Sequence, residues 1–227
     1  MSAGRLFDLL PATLRDSTEL RQALTHRSAA PRHNERLEFL GDGVLNFVIA
    51  ARLYEMRPEA PEGELSRLRA ALVNKDSLAA IARGMDMGAV LSLGEGERKS
   101  GGHRRDSILA DALEAVIGAV YLQEGFEVAQ RFVLDLYARR LQDLPSAESL
   151  KDPKTRLQEW LQRRGLETPE YRLLEVTGKP HDQHFRSACR IPRRELECVG
   201  EGSSRRRAEQ AAAQKALETL AADQEEA

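Results

Sequence analysis

An all-α domain followed by a small α+β domain, ordered α-β-β-β-α, is the fold class that the sequence predicts. Three observations lead there. Apolar residues recur at helical spacing as far as Leu144, residues 145–151 are small and polar, and beyond them three β-rich runs lie between two helical segments. Domains are therefore expected at 1–144 and 152–222, with a linker at 145–151 and a disordered acidic tail at 223–227. A chain of 227 residues holds one large domain or two small ones, and 41% apolar with 31% charged residues is ordinary for a globular protein.

Residues 4–30 read as short helices: Leu6, Leu9 and Leu10 precede Pro11, and an amphipathic segment covers 17–26. His26, alone near a helix end, is given a structural role. A long helix follows at 34–56 with Leu37, Leu40, Val44 and Val48 as its apolar stripe, and Pro58 and Pro61 end it. Glu62-Gly63-Glu64 opens a helix carrying Leu65, Leu68, Leu72 and Val73. Asp76-Ser77 caps the next, which stops at Gly84. Residues 93–106, rich in glycine and basic residues, read as a loop facing either solvent or a polyanion. A helix at 106–123 sets Leu109, Leu113, Val116, Ile117 and Val120 opposite Asp111 and Glu114, and another continues to Asp143. After the linker, 152–164 is helical with Leu157 and Leu161 inward. Strands are expected at 170–176, 183–191 and 195–200, with turns at Gly178-Lys179-Pro180 and Pro192-Arg193-Arg194, before an alanine-rich helix at 203–220.

No uninterrupted apolar run is long enough to span a bilayer; the most apolar stretch, 108–122, is broken by Asp111 and Glu114. The N-terminus lacks the features of a secretory signal. Cys189 and Cys198 are too few for a disulfide framework or a cysteine-rich zinc site. A cytoplasmic protein with reduced thiols and no membrane partner is expected. The net charge of −2 offers little to nucleic acid, yet residues 152–222 hold 14 Lys and Arg against 11 Asp and Glu, so arrangement decides.

Two constellations carry chemistry. Glu35, Glu38 and Asp42 sit three and four residues apart, within a sector of roughly 60° on a helix. At 4 Å and an effective dielectric of 20, each pair of charges costs about 4 kcal/mol, which a hard divalent cation offsets. A solvated acidic face is the plain alternative. Asp111 and Glu114 form a second acidic face, and if the two helices pack face to face, four carboxylates converge. Oxygen ligands suit Mg²⁺ or Mn²⁺, which activate water and stabilise charge on a phosphoryl group, so metal-assisted phosphodiester hydrolysis is the natural chemistry. A two-carboxylate glycosidase fits less well, because a single Trp offers little for sugar stacking. The second constellation is Gly202-Ser203-Ser204-Arg205-Arg206-Arg207. Either serine suits an N-cap, but arginines in a first turn oppose the macrodipole. A phosphate bound there would compensate; the alternative is that they solubilise an alanine-rich helix.

Residues 34–42, Asn-Glu-Arg-Leu-Glu-Phe-Leu-Gly-Asp, resemble the signature of the bacterial ribonuclease III family, endonucleases of double-stranded RNA. Ala23-Leu24-Thr25-His26-Arg27-Ser28, the segment 63–73, Lys99-Ser100-Gly101-Gly102 and Asp111-Ala112-Leu113-Glu114-Ala115 also match, and 152–220 is similar to a double-stranded-RNA-binding domain. The resemblance covers nearly the whole chain. It implies an all-α endonuclease domain that is catalytic and dimerising, followed by an RNA-binding domain. Glu38, Asp111 and Glu114 would be metal ligands, and Asp42 and Glu114 the catalytic residues. Glu35 and Glu62 would be supporting acids at the cleft edge. Phe39 matches an aromatic of the dimer interface, with a core role as the alternative.

In the second domain the resemblance puts Thr155, Gln158 and Glu159 in one minor groove and Pro180 and His181 in the next, with Arg205 and Arg206 on phosphates between them. Such a domain spans about 16 bp and reads A-form shape. Glu209 stands where many such domains are basic, and is expected to weaken isolated binding. The implied protein is a homodimeric, Mg²⁺-dependent enzyme, with Mn²⁺ as a substitute. It would leave 5′-phosphates, 3′-hydroxyls and short 3′ overhangs on ribosomal RNA precursors and other structured RNAs. The rival is a non-catalytic double-stranded-RNA-binding protein of the same fold.

Overall fold

Helix α7 (Asp106–Glu124) is the axis of the first unit. From Ile108 to Val120 every residue is buried except Asp111 and Glu114. A helix apolar on all sides belongs in a core. This corrects the two-faced helix expected from its sequence: Asp111 and Glu114 interrupt an otherwise complete apolar surface. The computed structural model describes residues 4–146, 148–179 and 182–225, and the chain divides into two units around residue 147.

With α7 the unit comprises α1 (Gly4–Leu9), α2 (Thr18–Ala23), α3 (Glu35–Met56), α4 (Glu62–Val73), α5 (Lys75–Gly84), α6 (Glu95–Lys99) and α8 (Phe126–Gln142), of which α2, α3, α5 and α8 pack on α7. Helix α3 turns Leu37, Gly41, Val44, Leu45, Val48, Ile49 and Leu53 inward, and its packing on α7 is the largest helix–helix interface of the unit. Leu40, expected in that stripe, is only half-buried. Tyr137 on α8 is wholly buried, and its hydroxyl donates to the Leu72 carbonyl at 3.3 Å, tying α8 to the end of α4. Two local readings need correction. Helix α5 is capped by Asn74, whose side chain accepts from the Ser77 N–H at 2.8 Å, rather than by Asp76-Ser77. Residues 93–106 are not a plain loop, since they contain α6 and a 3-10 turn at Gly102–Arg104.

The second unit comprises α9 (Pro153–Gln162), the antiparallel strands β1 (Glu170–Lys179), β2 (Asp182–Ile191) and β3 (Leu196–Gly202) in that order, and α10 (Arg205–Glu225). Gly178 and Lys179, expected in a turn, belong to β1 and pair with Gln183 and Asp182. The tail expected to be disordered is helical through Glu225. Ala208, Ala212, Ala213 and Ala216 explain the alanine-rich composition of α10: they are buried against the sheet. A Cβ on Gly200 of β3 would lie 2.1 Å from the Ala212 nitrogen, so helix and strand touch backbone to backbone. Leu157, Leu161, Cys189, Ile191 and Leu220 complete this core, and both cysteines are free. No helix among the described residues is long and apolar enough to cross a membrane.

Candidate functional site

The site begins with two interior glycines. A helix interior loses about 1 kcal/mol by carrying glycine instead of alanine, so a packing reason is expected. A Cβ on Gly41 would fall 1.7 Å from the Glu114 carbonyl oxygen, and one on Gly118 would fall 2.3 Å from that of Leu37. Helices α3 and α7 therefore cross at backbone contact. Glu38 lies one turn before Gly41, and Glu114 one turn before Gly118, so the crossing sets their carboxylates side by side.

Glu38, Asp111 and Glu114 each offer an oxygen within 4.8 Å of the others, and all three side chains are half-buried. Burial pushes the Glu114 carboxyl up to about 8, helped by the charges of Asp42, Glu38 and Asp111. Burial also raises Glu38, with Asp111, Glu35 and Asp42 adding to the effect. Asp111 is raised by burial as well, though His26, Lys75 and Arg27 oppose the shift. Three oxygen donors at this spacing, all raised toward the neutral form, suit a hard divalent cation. They are also the three residues named as ligands from the resemblance.

The other acids fall in different places. Asp42 is exposed, and its Oδ1 accepts from Asn46 Nδ2 at 2.6 Å. Glu35 is exposed and paired with Arg27 at 3.2 Å, outside the triad. Glu62 accepts from the Ser66 hydroxyl at 2.6 Å on the exposed start of α4, and belongs neither to the triad nor to the cavity beside it. That cavity holds about 590 Å³ and is lined by Glu35, Glu38 and Asp111 on one side and by His26, Arg27 and Arg105 among others. His26 Nδ1 lies 2.8 Å from the Ser28 hydroxyl, which accepts from the Gly94 N–H at 3.0 Å. The histidine read as structural thus borders the site. Arg105 reaches Glu97 at 2.7 Å, so the basic stretch after Leu93 packs at the cavity. Sequence reasoning missed the two glycines and His26 as parts of the site, while Arg105 lay in the basic stretch read as facing solvent or a polyanion. The glycines left a signal as helix-breaking residues inside strong helices.

Phe39 is 83% exposed, which excludes the core role, and it shares one side of α3 with exposed Phe47 and Tyr54. Beside it a second cavity of about 630 Å³ is lined by Gln22, Arg36, Leu40 and Leu122.

In the second unit Thr155 and Gln158 are exposed on α9, while Glu159 pairs with Lys151 at 2.6 Å. Arg205 and Arg206 open α10, where Ser204 accepts from the Arg207 N–H at 3.2 Å and so is the N-cap. Pro180 and His181 lie outside the described residues.

Residues 16–141 match the family model described as Ribonuclease-III-like, and 153–220 match Double-stranded RNA binding motif. The chain is 57% identical over 207 residues to "Ribonuclease 3" of Dechloromonas aromatica, which covers 91% of this chain and 93% of the relative. It is 51% identical over 217 residues to the protein of that name from Vibrio cholerae, covering 96% of each. Among solved structures, the nuclease domain of ribonuclease III from Campylobacter jejuni superposes with a TM-score of 0.53 at 45% identity, covering 56% of this chain and 86% of that one. A second structure of that nuclease domain, reported for structural flexibility in a region involved in dimer formation, gives 0.55 at 43% identity, covering 59% of this chain and 96% of that one.

Proposed function

The chain belongs to the ribonuclease III family, and on that footing we propose that it is an endoribonuclease that hydrolyses phosphodiester bonds of double-stranded RNA. The triad of Glu38, Asp111 and Glu114, assembled from two helices in a chain that also matches an RNA-binding motif, carries this reading.

Glu38, Asp111 and Glu114 would hold Mg²⁺, with Mn²⁺ as a substitute, and the oxygen-only donor set fits either ion. When bound, such a cation supplies Lewis acidity toward phosphate oxygens and makes water a better nucleophile. Asp42, with one oxygen held by Asn46, uses the other to orient the attacking water and take up its proton. The water oxygen bonds to phosphorus as the P–O3′ bond breaks. A 5′-phosphate results and, once the departing oxygen is protonated, a 3′-hydroxyl. Glu35 supports the cleft edge by holding Arg27 beside the cavity, and Glu62 supports the cleft from the exposed start of α4, away from that cavity.

Thr155, Gln158 and Glu159, with Pro180 and His181, meet the minor grooves, and Arg205 and Arg206 meet phosphates. The exposed aromatic side of α3 fits a homodimer, with Phe39 of one copy facing the cavity of the other. Two sites then cut one strand each, which leaves short 3′ overhangs. Structured RNAs of the cytoplasm, including ribosomal precursors, are the substrates.

Incubating the protein with long duplex RNA, with and without Mg²⁺, tests the reading. Cleavage that needs Mg²⁺ and disappears in Glu114→Gln supports it. A wild type that shifts the RNA in a gel and never cuts it would favour the non-catalytic rival.

A further inference from the structure

Two carboxylates of the second unit tie the starts of α9 and α10 together. Asp152 caps α9 by accepting from the Lys154 N–H at 2.9 Å. It also reaches across to α10, accepting from Arg206 Nη2 at 3.3 Å and Gln210 Nε2 at 2.7 Å. Glu209 on α10 reaches the other way and accepts from Lys154 Nζ at 2.6 Å, while taking Arg205 Nε of its own helix at 2.9 Å. Each helix thus sends an acid to a donor on its neighbour. Lys154 is fixed a second time, its ammonium lying 4.1 Å from the centre of the Tyr171 ring.

The charge of Glu209 was expected to weaken RNA binding, which presumes that it faces the ligand freely. It does not, because Glu209 is only 7% exposed. Burial resists its ionisation, yet the hydrogen bonds from Lys154 and Arg205 outweigh that and leave its carboxyl below the ordinary value. The guanidinium of Arg205 gives only its Nε to this acid, and the side chain is 62% exposed. Its remaining N–H groups keep their capacity for an anion.

We propose that Glu209 is a positioning residue for phosphate recognition, fixing Lys154 and Arg205 at the adjoining starts of α9 and α10 so that both meet one stretch of RNA backbone. The proposal rests on the double-stranded-RNA reading above. Its physical content is preorganisation: two long cationic side chains already held in place lose less freedom on binding. Simple electrostatics points the opposite way, since removing a negative charge beside a polyanion should tighten binding.

Anisotropy titrations of the full chain with a labelled duplex of about 16 bp, in EDTA and from 50 to 200 mM salt, separate the two. Glu209→Gln should bind about eightfold more weakly at 0.1 M salt, the factor carried by one released counterion, with a log–log salt slope flatter by about 1. Stoichiometric titration gives the active fraction, and affinities are taken per active molecule, so partial unfolding does not imitate this result. In a Lys154→Ala background, Glu209→Gln should cost less than in the wild type. Equal or tighter binding by Glu209→Gln, or an equal cost in both backgrounds, would overturn the proposal alone. A wild type with no affinity for duplex RNA would overturn the double-stranded-RNA reading and the proposal with it.

Discussion

Each unit gathers carboxylates where two helices meet, and the two gatherings are opposite in kind. Between α3 and α7, Glu38, Asp111 and Glu114 are half-buried, and all three are raised toward the neutral form. At the starts of α9 and α10, Asp152 and Glu209 are also removed from water, but cations and amide donors hold both below the ordinary carboxylate value. The same residue type in the same setting is thus left uncompensated in one unit and saturated in the other. An acid satisfied from within the chain serves as a support. Acids that repel one another stand ready for a cation from solution.

The largest expected contrast is in cleavage. Glu114→Gln should lower the rate by more than the roughly 10–100-fold typical of disturbing a partner behind a metal ligand, while leaving RNA affinity in place. Glu209→Gln should do the reverse, which kinetics at saturating RNA would resolve. Next comes the crossing itself. Gly41→Ala places a methyl inside the Glu114 carbonyl, so it should cost about 3 kcal/mol or more and reduce cleavage, as read by denaturant unfolding of the full chain.

These two predictions also mark where the sequence was legible. Glu38, Asp111 and Glu114 stood out because helical spacing fixes side-chain direction within one element, and the resemblance joined the two elements. The crossing stayed hidden because its cause is an absence of side chain at Gly41 and Gly118, visible only when another backbone fills the space. The pairing of Glu209 was out of reach for a related reason: its partner Lys154 lies 55 residues away, and only the fold brings them to 2.6 Å. Asn74 was passed over as a cap because Asp76 and Ser77 compete as candidates at almost the same place. Burial of α7 on all sides could not be read from a pattern that also suits a two-faced helix.

The two clusters should also respond oppositely to pH. The folded-state value of Glu114, about 8, lies above its ordinary 4.5, so between them the folded chain binds the extra proton. Its contribution is complete below 4.5 and is lost as pH rises through about 8. Metal-free protein should therefore melt lower at pH 9 than at pH 6, and Glu114→Gln should flatten that slope. Asp152 and Glu209 lie below their ordinary values, so their contribution is present above the carboxylate range and lost as pH falls through it. Differential scanning calorimetry in EDTA across pH would show whether the first unit weakens toward base and the second toward acid.

The smallest expected effect on folding is at the exposed side of α3. Phe39→Ala removes an 83% exposed ring, so it should leave the unfolding free energy of the monomer within about 0.5 kcal/mol of wild type. It should shift sedimentation toward the monomer; an unchanged dimer would move the interface elsewhere.

The most direct test of the contrast between the clusters is calorimetric titration of the full chain with Mn²⁺ at constant pH, without RNA. Wild type and Glu209→Gln should bind the ion alike, and Glu114→Gln should lose that binding. Equal Mn²⁺ binding by Glu114→Gln would contradict the assignment of the α3–α7 carboxylates as the cation site.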